Sequence, residues 1–310
     1  MGELRPASAF KALRHGQIIE NLEIWGEGEP ALEVQGLRDV VIRRCRLLHR
    51  GGCGLALYSC QNLQLEQLEI FHLAAPPRGP HSCEQCNLVA WDCRQLDLRH
   101  LRVFWGSSGL LFTDCSDILL QHLEGFDFRG PYPRGQLLQF NRVRRARVQH
   151  FFGLNPPETS HPEDIVSVYE SQHIQLLDGL LVGNNAPNGA AVMFEKSSHG
   201  RVVRVDAWHM SNGCFSAFPA RDVQFIQVRA ARNHCGDQGR GFPCSGGLAF
   251  ASSPDSRQIR VQEAVYDQLC NPSLVHWGPF ERFEAGQRRI QPRNLPRWHH
   301  PWEEVTLSDQ

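Results

Sequence analysis

The chain has 310 residues, 41% hydrophobic and 21% charged, a balance that allows a sizeable buried core and excludes global disorder. Its 32 basic and 33 acidic side chains leave a formal net charge of −1, so no nucleic-acid partner and no binding to an anionic membrane by bulk charge is expected. No run reaches the ~18 apolar residues needed to cross a bilayer, so no membrane span is expected either.

The start, MGELRPASAFKALRHG, lacks the continuous apolar core of a secretory signal, and a cytoplasmic location is favoured over processed export. Its amphipathic ASAFKALRHG predicts a helical N-terminal cap within residues 1–16.

From residue 17 the chain repeats itself, beginning with the partial copy LRDVVIRRCRLL at Leu37. Plain copies follow: GLALYSCQNLQLEQLEIF from Gly54, NLVAWDCRQLDLRHLRVF from Asn87 and GLLFTDCSDILLQHLEGF from Gly109. LLQFNRVRRARVQHFF from Leu137, IVSVYESQHIQLLDGLLV from Ile165, CFSAFPARDVQFIQVRAA from Cys214 and GGLAFASSPDSRQIRVQEAVY from Gly246 continue the series. Each unit holds an alternating strand, a tight polar corner, a second alternating strand and a third apolar pair. Period-2 alternation means strands with one buried face. Leu63, Leu96, Ile118, Ile174 and Val223 open the second strand at intervals of 33, 22, 56 and 49 residues, the last two covering two turns each. Such short repeats predict a parallel β-solenoid. The Leu/Asn frame of leucine-rich repeats and the 3.6 period of helical repeats are both missing. The expected fold is an all-β, right-handed, single-stranded parallel β-helix of about ten turns over residues 17–278, in one domain.

Cys60, Cys93 and Cys115 share one corner slot, three residues before Leu63, Leu96 and Ile118, and Val143 and Ser171 take it in the next turns. Stacked at the ~4.8 Å strand spacing, they read as a ladder of small packed side chains rather than a metal or redox centre. HSCEQC carries Cys83 and Cys86 near His72 and His81, a lone CxxC without a second ligand pair. Cys235 and Cys244 bracket GDQGRGFP and would suit a disulfide in an exported chain, whereas eleven cysteines with no evident framework point to a reducing compartment. From residue 279 to 310 strand periodicity is lost, and RNLPRWHHPWEE, with Trp298 and Trp302, reads as a wrapping or capping tail.

Two unlike stretches share a frame. In GPYPRGQLLQFN (130–141), Gln136, Gln139 and Asn141 lie seven, four and two residues before the corner slot at Val143. In PEDIVSVYES (162–171), Asp164, Ser167 and Tyr169 hold the same places before Ser171. These pairs are expected to stack on the outer face of one sheet, with Arg134, His161, Glu163 and Asp164 in the connections leading into it. The next turn adds Asn184, Asn185 and Asn188, then Glu195 and Lys196 where the strand leaves. The corresponding slots elsewhere are assigned to Ala56, Val89, Leu111 and Ala217, so the polar cluster is local, as in a ligand groove. The plainer alternative is an ion pair of Arg134 with Glu163 or Asp164 that pins a turn.

The chain resembles the right-handed parallel β-helix proteins of the pectin-lyase-like superfamily over residues 17 to 278. It is most similar to a group of uncharacterised bacterial β-helix proteins with a G-P-[FY]-P-R-G-Q-x-x-Q-F element, here Gly130 to Phe140, and an E-D-[IL] turn, here Glu163-Asp164-Ile165. The resemblance implies elimination, hydrolysis or epimerisation of acidic polysaccharides, or a non-catalytic role. Asp164 falls where polygalacturonase-type hydrolases carry the Asp of an Asn-Thr-Asp motif, and Ser198-His199-Gly200 is similar to their Gly-His-Gly. Asn184-Asn185 stand where those enzymes carry an acid pair, and no Arg-x-Lys element is evident.

Hydrolysis with inversion needs an acid and a base ~6.5–9.5 Å apart. Glu195 is expected about 16 Å from the Glu163–Asp164 turn, at five extended positions of ~3.3 Å. Elimination needs instead a base and a group that neutralises the sugar carboxylate. Arg134 and Gln136 supply N–H donors for that carboxylate, and His161, Tyr169 and Lys196 are the candidate proton carriers. Glu163 and Asp164 would orient His161 or hold Ca²⁺ as hard oxygen ligands. Gln139, Asn141, Ser167, Asn184, Asn185 and Glu195 complete the expected substrate contacts. The reading is a monomeric lyase or epimerase acting on an acidic polysaccharide or oligosaccharide. The alternatives are a polygalacturonase-type hydrolase and a non-catalytic β-helix that binds glycan or protein.

Overall fold

The computed structural model describes residues 4–8, 13–73, 86–130, 134–156, 159–160, 162–184, 189–232, 248–270, 273 and 275–291. Among them every regular element is a β-strand, and the strands join into one 22-stranded sheet wound as a parallel, right-handed solenoid of about nine turns. No helix long and apolar enough to cross a membrane occurs among the described residues.

Alternation sets which side chains enter the core. In the strand Leu138–Asn141, Leu138 and Phe140 are fully buried while Gln139 and Asn141 face outward, half-buried. One rung on, Val166 stacks on Leu138 and Val168 on Phe140. Phe112 and Phe140 stack with ring centroids 5.6 Å apart. The slots inferred from spacing lie in one column, Leu63, Leu96, Ile118, Ala146 and Ile174, so the 56-residue interval does span two turns.

The corners are single residues in the left-handed region. His100, His122, His150, Asp178 and Arg204 form one such column, with φ between 53° and 59°. Asp and His tolerate this region better than most non-glycine residues, and one of them turns the chain without a loop. Three of the imidazoles stack, His100 on His122 at 4.5 Å and His122 on His150 at 4.9 Å.

The cysteine slot behaves as a packed ladder. Cys60 N–H donates to Cys93 Sγ at 3.4 Å and Cys93 N–H to Cys115 Sγ at 3.3 Å. Val143 N–H donates to Ser171 Oγ at 2.9 Å, and Ser171 N–H to Ser197 Oγ at 3.0 Å. All three thiols are buried and free. The hydrogen bond with Cys115, together with burial, pushes the Cys93 thiol up to about 12, so it is no reactive thiolate. Cys86 is likewise buried. His81, Cys83, Cys235 and Cys244 lie outside the described residues. Cys270 is disulfide-bonded, a crosslink the reducing-compartment expectation did not include.

At the N-terminus the expected cap helix gives way to a strand. Arg5–Ser8 pairs in parallel with Leu22–Glu27, and Arg5 N–H donates to Asn21 O at 3.1 Å. An open solenoid edge offers unpaired backbone groups, and an extended segment satisfies them more completely than a helix laid across them. Pro6, lacking an N–H, is tolerated on such an edge strand. At the other end Arg282–Gln287 pairs with Arg257–Asp267, carrying the ladder past residue 278. Trp298 and Trp302 lie outside the described residues.

Candidate functional site

Two columns cross the outer face of the sheet that begins with Leu138–Asn141. One runs Gln139, Ser167, Met193, Ser216, Ala251 and Trp277; the other runs Asn141, Tyr169, Glu195 and Phe218. The stacking expected of Gln139 on Ser167 and Asn141 on Tyr169 is therefore present. Ser216, not Ala217, occupies the outer slot, because Ala217 pairs with Phe194 on the inner face and is fully buried.

These columns and the turns leading into them enclose a cleft of about 580 Å³. Its lining includes Gln139, Glu163, Asp164, Ser167, Tyr169 and Glu195 among the residues expected from sequence. The Glu163–Asp164 turn is clamped from both sides. Glu163 N–H donates to Arg134 O at 2.9 Å, Asn184 Nδ2 donates to Glu163 O, and Asp164 Oδ1 accepts the Ala190 N–H at 2.8 Å. Gly189 packs so closely that a Cβ there would collide with the Glu163 carbonyl.

Electrostatics follow from this placement. Burial pushes the Glu163 carboxyl up to about 7; the nearby Arg134 charge lowers it and Glu195 raises it. Burial, with Glu163 and Glu195 adding to it, holds Asp164 well above the usual carboxylate range despite the Ala190 N–H. The Glu195 charge acts on both Glu163 and Asp164. All three acids line one cleft.

Lys196 sits at the rim, where its Nζ donates to Tyr169 Oη at 2.7 Å, lies 4.8 Å from the Tyr169 ring centre and 4.0 Å from Glu170 Oε1. Arg134 acts on Glu163 through its charge, but among the described residues it forms no ion pair with Glu163 or Asp164 and does not line the cleft. Gln136 is buried behind the sheet, where its Oε1 accepts the Ser108 hydroxyl at 3.2 Å. Asn184 is fully buried and holds a backbone carbonyl rather than facing the cleft. Asn141 accepts from the Arg142 guanidinium at 3.0 Å and stays outside the lining. His199 stacks on His173 and bonds Asp222 at 2.9 Å on a corner, also outside the lining. His161, Asn185 and Asn188 lie outside the described residues.

Sequence reasoning missed Met193, Asn212, Gly213, Ser216, Phe218, Leu248, Ala251 and Trp277. Phe218 and Trp277 stack at 5.8 Å with planes 13° apart, an aromatic surface in a polar cleft. Their signal lay in the slots themselves, which continue the Gln139 and Tyr169 columns into later turns. Among the described residues no group of three or more His, Cys, Asp or Glu is placed to hold a metal ion.

Three solved structures share parts of this architecture. The catalytic domain of a GH87 α-1,3-glucanase, solved with tetrasaccharides, superposes with a TM-score of 0.52 at 8% identity, covering 89% of this chain and 54% of that one. What the two share is the fold. The chain spans about half the length of the glucanase it matches. An endo-xylogalacturonan hydrolase from Aspergillus tubingensis (TM-score 0.34, 12% identity, 84% of this chain and 65% of that one) overlaps too loosely to carry an argument. The same holds for the fluoroquinolone resistance protein QnrB1 (TM-score 0.32, 11% identity, 86% and 92%). No family model and no curated protein matches the sequence.

Proposed function

We propose that the protein is a carbohydrate-active β-helix that cleaves a glycosidic bond in this cleft by acid–base hydrolysis. One observation carries the reading: three carboxyl groups share a cleft with a stacked aromatic pair, and Glu163 titrates at about 7. A carboxyl that keeps its proton near neutrality is what a general acid needs, and a second carboxylate in the same cleft is what a base needs. Glu163 is assigned as the acid and Glu195 as the base. Asp164, whose proton affinity burial raises, is assigned a hydrogen bond to a sugar hydroxyl. Phe218 and Trp277 take the apolar face of a sugar ring, and Gln139, Ser167 and Asn212 supply polar contacts. The glucanase neighbour supports the glycan part of this reading through its fold alone.

Charge favours a neutral glycan over the acidic one implied by the family resemblance. No Lys, Arg or His among the described residues lines the cleft, and Lys196 is engaged with Tyr169 and Glu170. A uronate would add an anion where the Glu195 charge already raises the proton affinity of Glu163 and Asp164. Elimination on a uronate chain is the second reading, favoured by the hydrogen bond between Lys196 and Tyr169, which brings two candidate proton carriers together beside the cleft.

The test is incubation with neutral and uronate glycans, following reducing ends and the ultraviolet absorbance of unsaturated uronates. Reducing ends without unsaturation are expected. Glu163→Gln should lower kcat by roughly 10²–10⁴-fold and abolish the activity loss that the parent shows as pH rises through about 7. Unsaturated products would assign elimination instead.

A further inference from the structure

The face that carries the cleft continues towards the N-terminus. The Gln139 column runs back through Leu111, Val89 and Ala56, and the Asn141 column through Thr113, Trp91 and Tyr58. Ala56 is fully buried, so the open strip begins at the next rung, where Val89 is half-buried and Trp91 is 52% exposed. Arg142 grips Asp114 through two contacts of 2.7 and 2.8 Å, and Trp91 stands beside the same carboxylate. Half of the indole's surface stays open. Three rungs of ~4.8 Å put Trp91 about 14 Å from the Tyr169 rung along the solenoid axis.

We propose that Trp91, with Val89 and Leu111, forms a remote subsite that holds a sugar ring of the same polysaccharide chain whose bond is cleaved beside Glu163. The proposal rests on the reading of the cleft as a glycan site. A flat apolar surface with one exposed aromatic suits the C–H face of a pyranose. Along the strip Asp114 is paired with Arg142, and Asp92 accepts the Ser59 hydroxyl. Because the rungs are in register, the strip runs straight into the cleft past Gln139 and Asn141, and an extended polymer reaches both. A lone exposed Trp is ordinary on a protein surface. Trp25, 47% exposed, is such a residue, since its column runs through Leu48 and Phe71 on another face.

The experiment compares Trp91→Ala, Trp25→Ala and the parent on a soluble neutral glucan and its trisaccharide, with polygalacturonate and its trisaccharide as the anionic pair. Trp91→Ala should raise KM for the cleaved polymer roughly tenfold, about 1.4 kcal/mol, with kcat and trisaccharide turnover unchanged. Trp25→Ala should match the parent throughout. Unchanged polymer KM in Trp91→Ala, or an equal loss on the trisaccharide, overturns the subsite and leaves the hydrolase reading standing. If the parent neither binds nor cleaves any of the four glycans, both readings fall.

Discussion

Glu163 and Glu124 are both acids pushed up by burial, to about 7 and about 8, and their surroundings give them different consequences. Glu163 opens onto the cleft. Glu124 ends a ladder of alternating charge, Glu23, Arg46, Glu69, Arg102 and Glu124, whose next neighbour in register is Phe152. Arg102 lies 3.0 Å from Glu69 and 3.5 Å from Glu124, so the better-solvated acid holds the guanidinium more closely. Burial of Glu124 outweighs what Arg102 contributes. Its folded value exceeds the ordinary 4.5, so the folded state keeps a proton that the unfolded chain releases. The resulting destabilisation is absent below about pH 4.5 and grows until about pH 8. Glu124→Gln should therefore match the parent in urea unfolding at the acid end and exceed it by ~1–3 kcal/mol above about pH 8. An unchanged pH slope would show that Arg102 keeps Glu124 ionised.

At the scale of the element, the corner slot decides whether consecutive rungs close on each other. Ser171 Oγ accepts the Val143 N–H and donates to the Tyr169 carbonyl at 2.8 Å, so one buried hydroxyl ties two rungs and steadies a cleft residue. Ser171→Ala leaves the Val143 N–H unpaired in the core and should cost ~1–3 kcal/mol. Ser171→Cys should cost much less, because thiols already serve this slot at Cys93 and Cys115. Thermal denaturation of the two variants checks the claim, and equal losses would mean that packing rather than the hydrogen bond holds the slot. The column was legible in the sequence because it obeys the repeat, whatever residue fills it.

For the whole molecule the hazard is its ends. A parallel solenoid has unpaired backbone at its first and last rungs, and here short strands cover them, Arg5–Ser8 at one end and Arg282–Gln287 at the other. Deleting residues 1–8 should bare the edge of Leu22–Glu27, next to the exposed Trp25 and Ile18. Concentration-dependent association is then expected in light scattering. A truncated chain that stays monomeric and folded would show that the edge is protected by other means.

Period-2 alternation and the recurring corner were sufficient to specify a parallel solenoid. They also predicted which residues stack, Gln139 on Ser167 and Asn141 on Tyr169, because rung spacing follows from counting residues. Counting loses its force where the chain leaves the strands. Gln136 and Asn184 were legible as polar residues near the groove, yet both turn inward to satisfy backbone or buried partners, a direction that no repeat dictates. Glu163 and Glu195 share the cleft from different rungs, and the stack of Phe218 on Trp277 joins residues 59 positions apart in sequence. A cleft is made of side chains from several turns meeting through space. Its outline was therefore settled by tertiary packing, while the sequence alone determined the sheet that carries it.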